Sequence, residues 1–143
     1  MYKTILLAVD LSPQSKTLAR KAKQLADLFH AQLHLVHVVE HSPLAYGDEF
    51  ALPIDVDLEQ TVENEARKML LNICQENGVA DNHAHMASGS VKLIVHDLAK
   101  KLPADLIIVG SHGHHGIERL LGSRANAVIH DAPCDTLAIK ASE

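Results

Sequence analysis

The sequence predicts an α/β fold in which five short parallel strands are covered on both faces by four helices. Three observations carry that expectation. Thr4–Val9 (TILLAV) and Leu106–Val109 (LIIV) are short apolar runs rich in β-branched residues, the pattern of strands buried on both faces. Runs of this kind alternate along the chain with segments whose apolar residues recur at helical spacing. The second run also breaks directly into Gly110, Gly113 and Gly116, a glycine-rich connection of the sort that joins a strand to the next helix.

Taken in order, the first strand ends at Asp10, and Ser12-Pro13 reads as a helix start with serine as N-cap and proline at the first helical position. Leu18, Ala22, Leu25 and Phe29 then fall on one face, with Lys16, Arg20, Lys21 and Lys23 mostly elsewhere. Gln32–Val39 (QLHLVHVV) is the second strand, although its alternation leaves open which residues face which side. Residues 40–53 lose all pattern. A long helix follows over roughly residues 55–77, with Leu58, Val62, Ala66, Met69 and Ile73 on one stripe and Gly78 as its stop. His83–Ala87 is a third, weaker strand. Ser88-Gly89-Ser90 opens a helix carrying Val91, Ile94, Leu98 and Leu102, which Pro103 ends. After the fourth strand, Ser123 reads as the cap of a helix over Arg124–His130. Pro133 bars its continuation, and Thr136–Ile139 is the last strand.

At 143 residues the chain fits one domain, residues 1–143, with no linker or internal repeat. It is 47% hydrophobic and 22% charged, ordinary for a globular protein. The formal charge of −5, from 13 basic and 18 acidic residues, and the lack of tryptophan disfavour nucleic acid as a partner. Cys74 and Cys134 form neither a Cys-x-x-Cys nor a disulfide framework, so a reducing compartment is expected. The apolar run at the start is stopped by Asp10 too early for a signal peptide, and no stretch approaches the roughly 20 apolar residues of a membrane span. The expected setting is the cytoplasm. The 11 histidines are the compositional oddity, read as mostly exposed or capping residues.

The segment Asp105–Arg124, DLIIVGSHGHHGIERLLGSR, concentrates the chemistry. A glycine-rich turn feeding a helix start at Gly122-Ser123 presents free backbone N–H groups and the positive end of a helix dipole, which suits an anion such as phosphate. Ligands in such folds lie beyond the carboxyl ends of strands where the order reverses. If Asp10 and the Gly110 loop share a site, strands one and four are neighbours, and the order is 3-2-1-4-5.

These segments together resemble the universal stress protein family, especially its UspA branch, over essentially the whole chain. ILLAVDLSPQSK is similar to the family's first strand and turn, and LVHVV to its second strand. GSHGHHGIERLLGSRANAVI followed by APCDTLAIK is similar to its glycine motif, fourth helix and last strand. The resemblance implies a Rossmann-like three-layer sandwich, often dimeric through the last strand, in which many members bind ATP and others of the UspA branch do not. In the binders the loop reads glycine, two residues, glycine, nine residues, then Gly-Ser or Gly-Thr. Gly110, Gly113 and Gly122-Ser123 match, except that eight residues, His114–Leu121, separate the second and third glycines. Carried over by position, Asp10 with Ala8 and Val9 would approach the nucleoside, and Val38 would meet the adenine through its backbone. Gly110 and Gly113 would line the ribose and phosphates. Gly122, Ser123 and Arg124 would hold phosphate, with ATP bound alone or together with Mg2+.

Rival chemistries fare worse. The P-loop lysine is missing after Gly122-Ser123. Glu118, the one carboxylate within the loop, reads as solvent-facing, so efficient hydrolysis is not expected and the chain is read as a non-enzyme. His112, His114 and His115, and His83 with His85, suggest metal ligands, but each group lacks the full ligand set and supporting shell of a real site. No Gly-x-Ser-x-Gly elbow follows a strand. Two readings remain: an ATP-binding stress or signalling module without efficient turnover, and a nucleotide-free dimeric interaction protein of the same fold.

Overall fold

The computed structural model describes residues 1–40, 56–111 and 123–141. The elements run β1 (Thr4–Ala8), α1 (Ser15–Phe29), β2 (Gln32–Val39), α2 (Val56–Glu76), a 3-10 turn (Asp81–His83), β3 (Ala84–Ser88), α3 (Val91–Lys101), β4 (Leu106–Ser111), α4 (Ser123–Ile129) and β5 (Asp135–Lys140). All strand pairs are parallel, and the sheet order is β3-β2-β1-β4-β5, as the sequence argument required.

Alternation along the strands divides the core into two layers. Ile5, Leu7, Leu33, Leu35, Leu106 and Ile108 face α1 and α2, where Leu18, Ala22, Leu70, Ile73 and Cys74 close over them. Leu6, Val36, Val38, Ile107 and Val109 face the other way, against Val95 and Ala99 of α3 and Val128 of α4. This settles the sidedness of β2. β1 is the central strand, with Ile5, Leu6 and Leu7 each 0% exposed.

Three expectations are corrected. α1 begins at Ser15 rather than at Pro13, and its N-cap is Gln14, which makes no side-chain cap bond. Ser12 is held outside the helix because its N–H donates to the Asp10 carboxylate. The stripe proposed for α2 is turned partly outward: Leu58, Val62 and Met69 are exposed, and the buried face is Leu70, Ile73 and Cys74. Ser123 is the first residue of α4 rather than its cap, and that helix ends at Ile129.

Helix ends follow local chemistry. Ser90 caps α3, its hydroxyl accepting from the Leu93 N–H, and Lys100 and Lys101 sit in the last turn, where cations suit the dipole. Gly78, at φ +67°, stops α2 as its sequence position promised. α1 instead stops at His30, a left-handed residue whose N–H donates to the Ala26 and Asp27 carbonyls. Among the described residues no helix is long and apolar enough to cross a membrane.

Candidate functional site

β1 lies between β2 and β4, so its carboxyl end is where the strand order reverses. Ala8 closes β1, Val9 and Asp10 follow it, Val38 is near the end of β2, and Gly110 is near the end of β4. The fold therefore gathers these five candidate residues from three strands at one end of the sheet. Gly113 and Gly122, with His112, His114, His115 and Glu118, lie outside the described residues.

The backbone here is held from several sides. Val9 N–H donates to the Val36 carbonyl at 2.9 Å, continuing the β1–β2 ladder one step beyond the strand. The Val9 carbonyl lies 2.9 Å from His37 Nδ1. A carbonyl only accepts, so that nitrogen carries the proton and the tautomer of His37 is set. One oxygen of Asp10 accepts from Ser12 N–H at 2.9 Å and from the Ser15 hydroxyl at 3.2 Å. These bonds form a tight turn in which Leu11 takes φ +61°, a left-handed conformation unusual for a γ-branched side chain. Within the turn the Ser12 Oγ is buried and has no hydrogen-bond partner among the described residues. Gly110 pairs with Ile139 inside β4 and is absent from the positive-φ positions, so the expected sharp turn does not begin there.

Ser123 and Arg124 open α4 and are exposed. Arg124 Nε is ion-paired with the carboxylate of Glu40, which directly follows β2. The pair ties the start of α4 to the β2 end of the site. Glu40 and His37 were not singled out by sequence reasoning. Their contacts depend on strand packing, and a residue at the ragged end of a strand carries no periodic signal. Among the described residues no group of three or more His, Cys, Asp or Glu side chains is disposed to hold a metal ion.

A parallel sheet of this order, with its candidate residues clustered at the carboxyl ends of the central strands, defines a Rossmann-like α/β protein. The chain belongs to the universal stress protein family, whose model matches residues 1–140. It is 54% identical over 138 residues to universal stress protein A homolog 1 of Coxiella burnetii, covering 96% of each chain. Among solved structures, the universal stress protein UspA from Lactobacillus plantarum aligns over 97% of this chain and 98% of its own, with TM-score 0.75 and 25% identity. A universal stress protein crystallised in complex with cAMP shares the fold, with TM-score 0.66, 23% identity, and coverage of 99% of this chain and 98% of its own.

Proposed function

We propose that the protein is a stress-response or signalling module that binds ATP, with or without Mg2+, at the carboxyl ends of β1, β2 and β4, and turns it over slowly or not at all. The observation that carries the reading is the Asp10–Ser15 turn. It is a conformationally costly turn at the switch point, held by a carboxylate and containing a buried Ser12 hydroxyl with no partner among the described residues. A buried hydroxyl without a partner is unfavourable unless a ligand or water completes it, and a nucleoside hydroxyl or phosphate oxygen has the right chemistry. The cAMP complex of a related fold supports an adenine nucleotide as the class of ligand. In this reading Ala8, Val9, Asp10 and Val38 meet the nucleoside, Gly110 and Gly113 line the ribose and phosphates, and Gly122, Ser123 and Arg124 hold the phosphates. Assembly as a two-fold homodimer through β5, in the cytoplasm, belongs to the same proposal; both cysteines are free thiols.

Isothermal titration with ATP tests it. Micromolar affinity corresponds to about −8 kcal/mol. Gly113→Val should abolish binding, because a branched side chain blocks close approach to the backbone. Ser123→Ala should weaken it by about 1–2 kcal/mol, the worth of one hydrogen bond to a charged group. Both variants should stay folded by circular dichroism. An insertion restoring a ninth residue between Gly113 and Gly122 should tighten binding if the short loop is strained. A flat titration for wild type and all three variants would defeat the proposal. The second reading, a nucleotide-free interaction protein, is favoured by the Glu40–Arg124 ion pair, because the carboxylate already occupies the cation assigned to phosphate. If Glu40 competes with phosphate, Glu40→Gln should increase ATP affinity. If no nucleotide binds, it will change nothing in the titration.

A further inference from the structure

Toward the amino ends of β2 and β3, away from the candidate nucleotide site, three histidines are packed together. His34 is buried on the α3 side of β2. His85 pairs in register with Val36, two residues along from His34, and so shares that face. His83 ends the 3-10 turn that leads into β3. The His34 and His83 rings stack with centroids 3.9 Å apart and planes 19° from parallel. His34 Nδ1 lies 3.0 Å from His85 Nε2, and His83 Nδ1 lies 3.0 Å from the Leu33 carbonyl oxygen. We propose that His34, His83 and His85 form an acid-sensitive latch that fastens the edge strand β3 to β2 while the cluster is uncharged and releases it on protonation.

Proton counting carries the argument. The Leu33 carbonyl can only accept, so His83 Nδ1 bears a hydrogen and offers no lone pair there. The His34–His85 contact needs one N–H and one lone pair. A charge on one ring leaves that bond intact. A charge on both sets two N–H groups against each other at the 3.0 Å contact, with His83 stacked alongside. The cluster is also ill-disposed to hold a metal ion, because His34 Nδ1 and His85 Nε2 face each other at 3.0 Å with no room for an ion between them, and His83 Nδ1 is committed to the Leu33 carbonyl.

Among the described residues the surroundings offer no counter-charge. On β1 the neighbour in register with His34 is Leu6. α3 covers this face with Val95 and Ala99, turns Asp97, Lys100 and Lys101 to solvent, and carries Lys92 in its first turn, toward the opposite end of the strands. Its one buried titratable group, His96, is committed to the Val128 carbonyl. On β2, Gln32 is uncharged and exposed, and His37 points to the other face, as does the packing of α2 against β3. In the 3-10 turn, Asp81 is exposed and its field bears on Cys74. The charges acting on His34 are those of His83 and His85, and on His85 that of His83.

Burial first, and then the neighbouring imidazoles, push His34 down to about 4 and His85 down from its ordinary value. For a histidine lowered in the folded state, the released segment binds more protons than the latched one. The latch is then fully effective above about pH 6.5 and weakens as pH falls from there toward 4. β3 is the piece that opens, because among the described residues β2 is its sole strand neighbour.

Hydrogen exchange on the full chain, corrected for the intrinsic pH dependence of exchange, tests the latch. In wild type the amides of Ala84–Ser88 should open on the order of tenfold to thirtyfold more often at pH 5 than at pH 7.5, while Leu106–Ser111 stay protected. His34→Gln keeps a hydrogen-bonding group without a titrating one and should flatten that dependence. If that variant does not fold, wild type decides alone. β3 exchange insensitive to pH, or acid opening spread equally over all five strands, overturns the proposal, as does a stoichiometric zinc complex that raises Tm.

Discussion

His96 is buried in α3 with Nε2 only 2.6 Å from the Val128 carbonyl oxygen, which fixes its hydrogen on that nitrogen and satisfies a helix-terminal acceptor in α4. His96→Leu leaves the acceptor buried and unpaired. Stability should fall by about 1–3 kcal/mol, measured as a lower urea midpoint at unchanged slope. Asp105 works differently, at the surface. Its carboxylate accepts from the backbone N–H groups of Lys3 and Thr4 at 2.7 and 2.9 Å, and those bonds hold its pKa below the usual value. For a lowered carboxylate the stabilisation is present above about pH 3.8 and disappears as pH falls through the folded-state value. Thermal melts between pH 7 and pH 2.5 should therefore show a steeper acid loss in wild type than in Asp105→Asn. Neither role was legible in the sequence. The expectation that the histidines are mostly exposed or capping fails among the described residues, where His34 and His96 are buried and His37, His83 and His85 are half-buried. A polar residue in a strand reads as solvent-facing until its partner is known, and the partners here are 28 to 51 positions away.

α2 shows how far periodicity goes. Its apolar sector is wide enough to include Leu58, Val62 and Met69 along with Ile73, and spacing alone does not say which edge of the sector turns inward. Packing selects the edge holding Leu70 and Cys74, whose side chains are 1% and 0% exposed. Leu70→Ala should cost about 2–5 kcal/mol, whereas Leu58→Ser and Val62→Ser should stay within about 0.5 kcal/mol, all by urea unfolding. The strands were more legible than the helix faces. Fully apolar runs such as LIIV announce double burial, and requiring Asp10 and Gly110 to share one end was enough to order the sheet. At the candidate site the sequence located the strand ends but missed Glu40 and His37. The helix boundary at Ser15 escaped it too, because the Asp10 carboxylate draws Ser12 out of the capping role that Ser-Pro usually fills.

β5 is an edge strand whose Leu137 and Ala138 are exposed, and an open edge invites a second copy. Light scattering at tens of micromolar should report a dimer, and Leu137→Asp should raise its dissociation constant at least about tenfold, equivalent to about 1.4 kcal/mol. An unchanged dimer in that variant would move the interface elsewhere. At the opposite extreme from this edge, the strand at the middle of the sheet is the first one made. β1 meets β2 soon after leaving the ribosome, but its other flank waits for β4, whose Asp105 clamp on Thr4 closes over a sequence separation of 101. At about 5–20 residues per second, that flank stays unpaired for roughly 5–20 s of synthesis. Ile5, Leu6 and Leu7 are thus the residues that a nascent-chain chaperone would have most reason to cover, and slowed translation between β2 and β4 is the perturbation to which the yield of folded protein should be most sensitive.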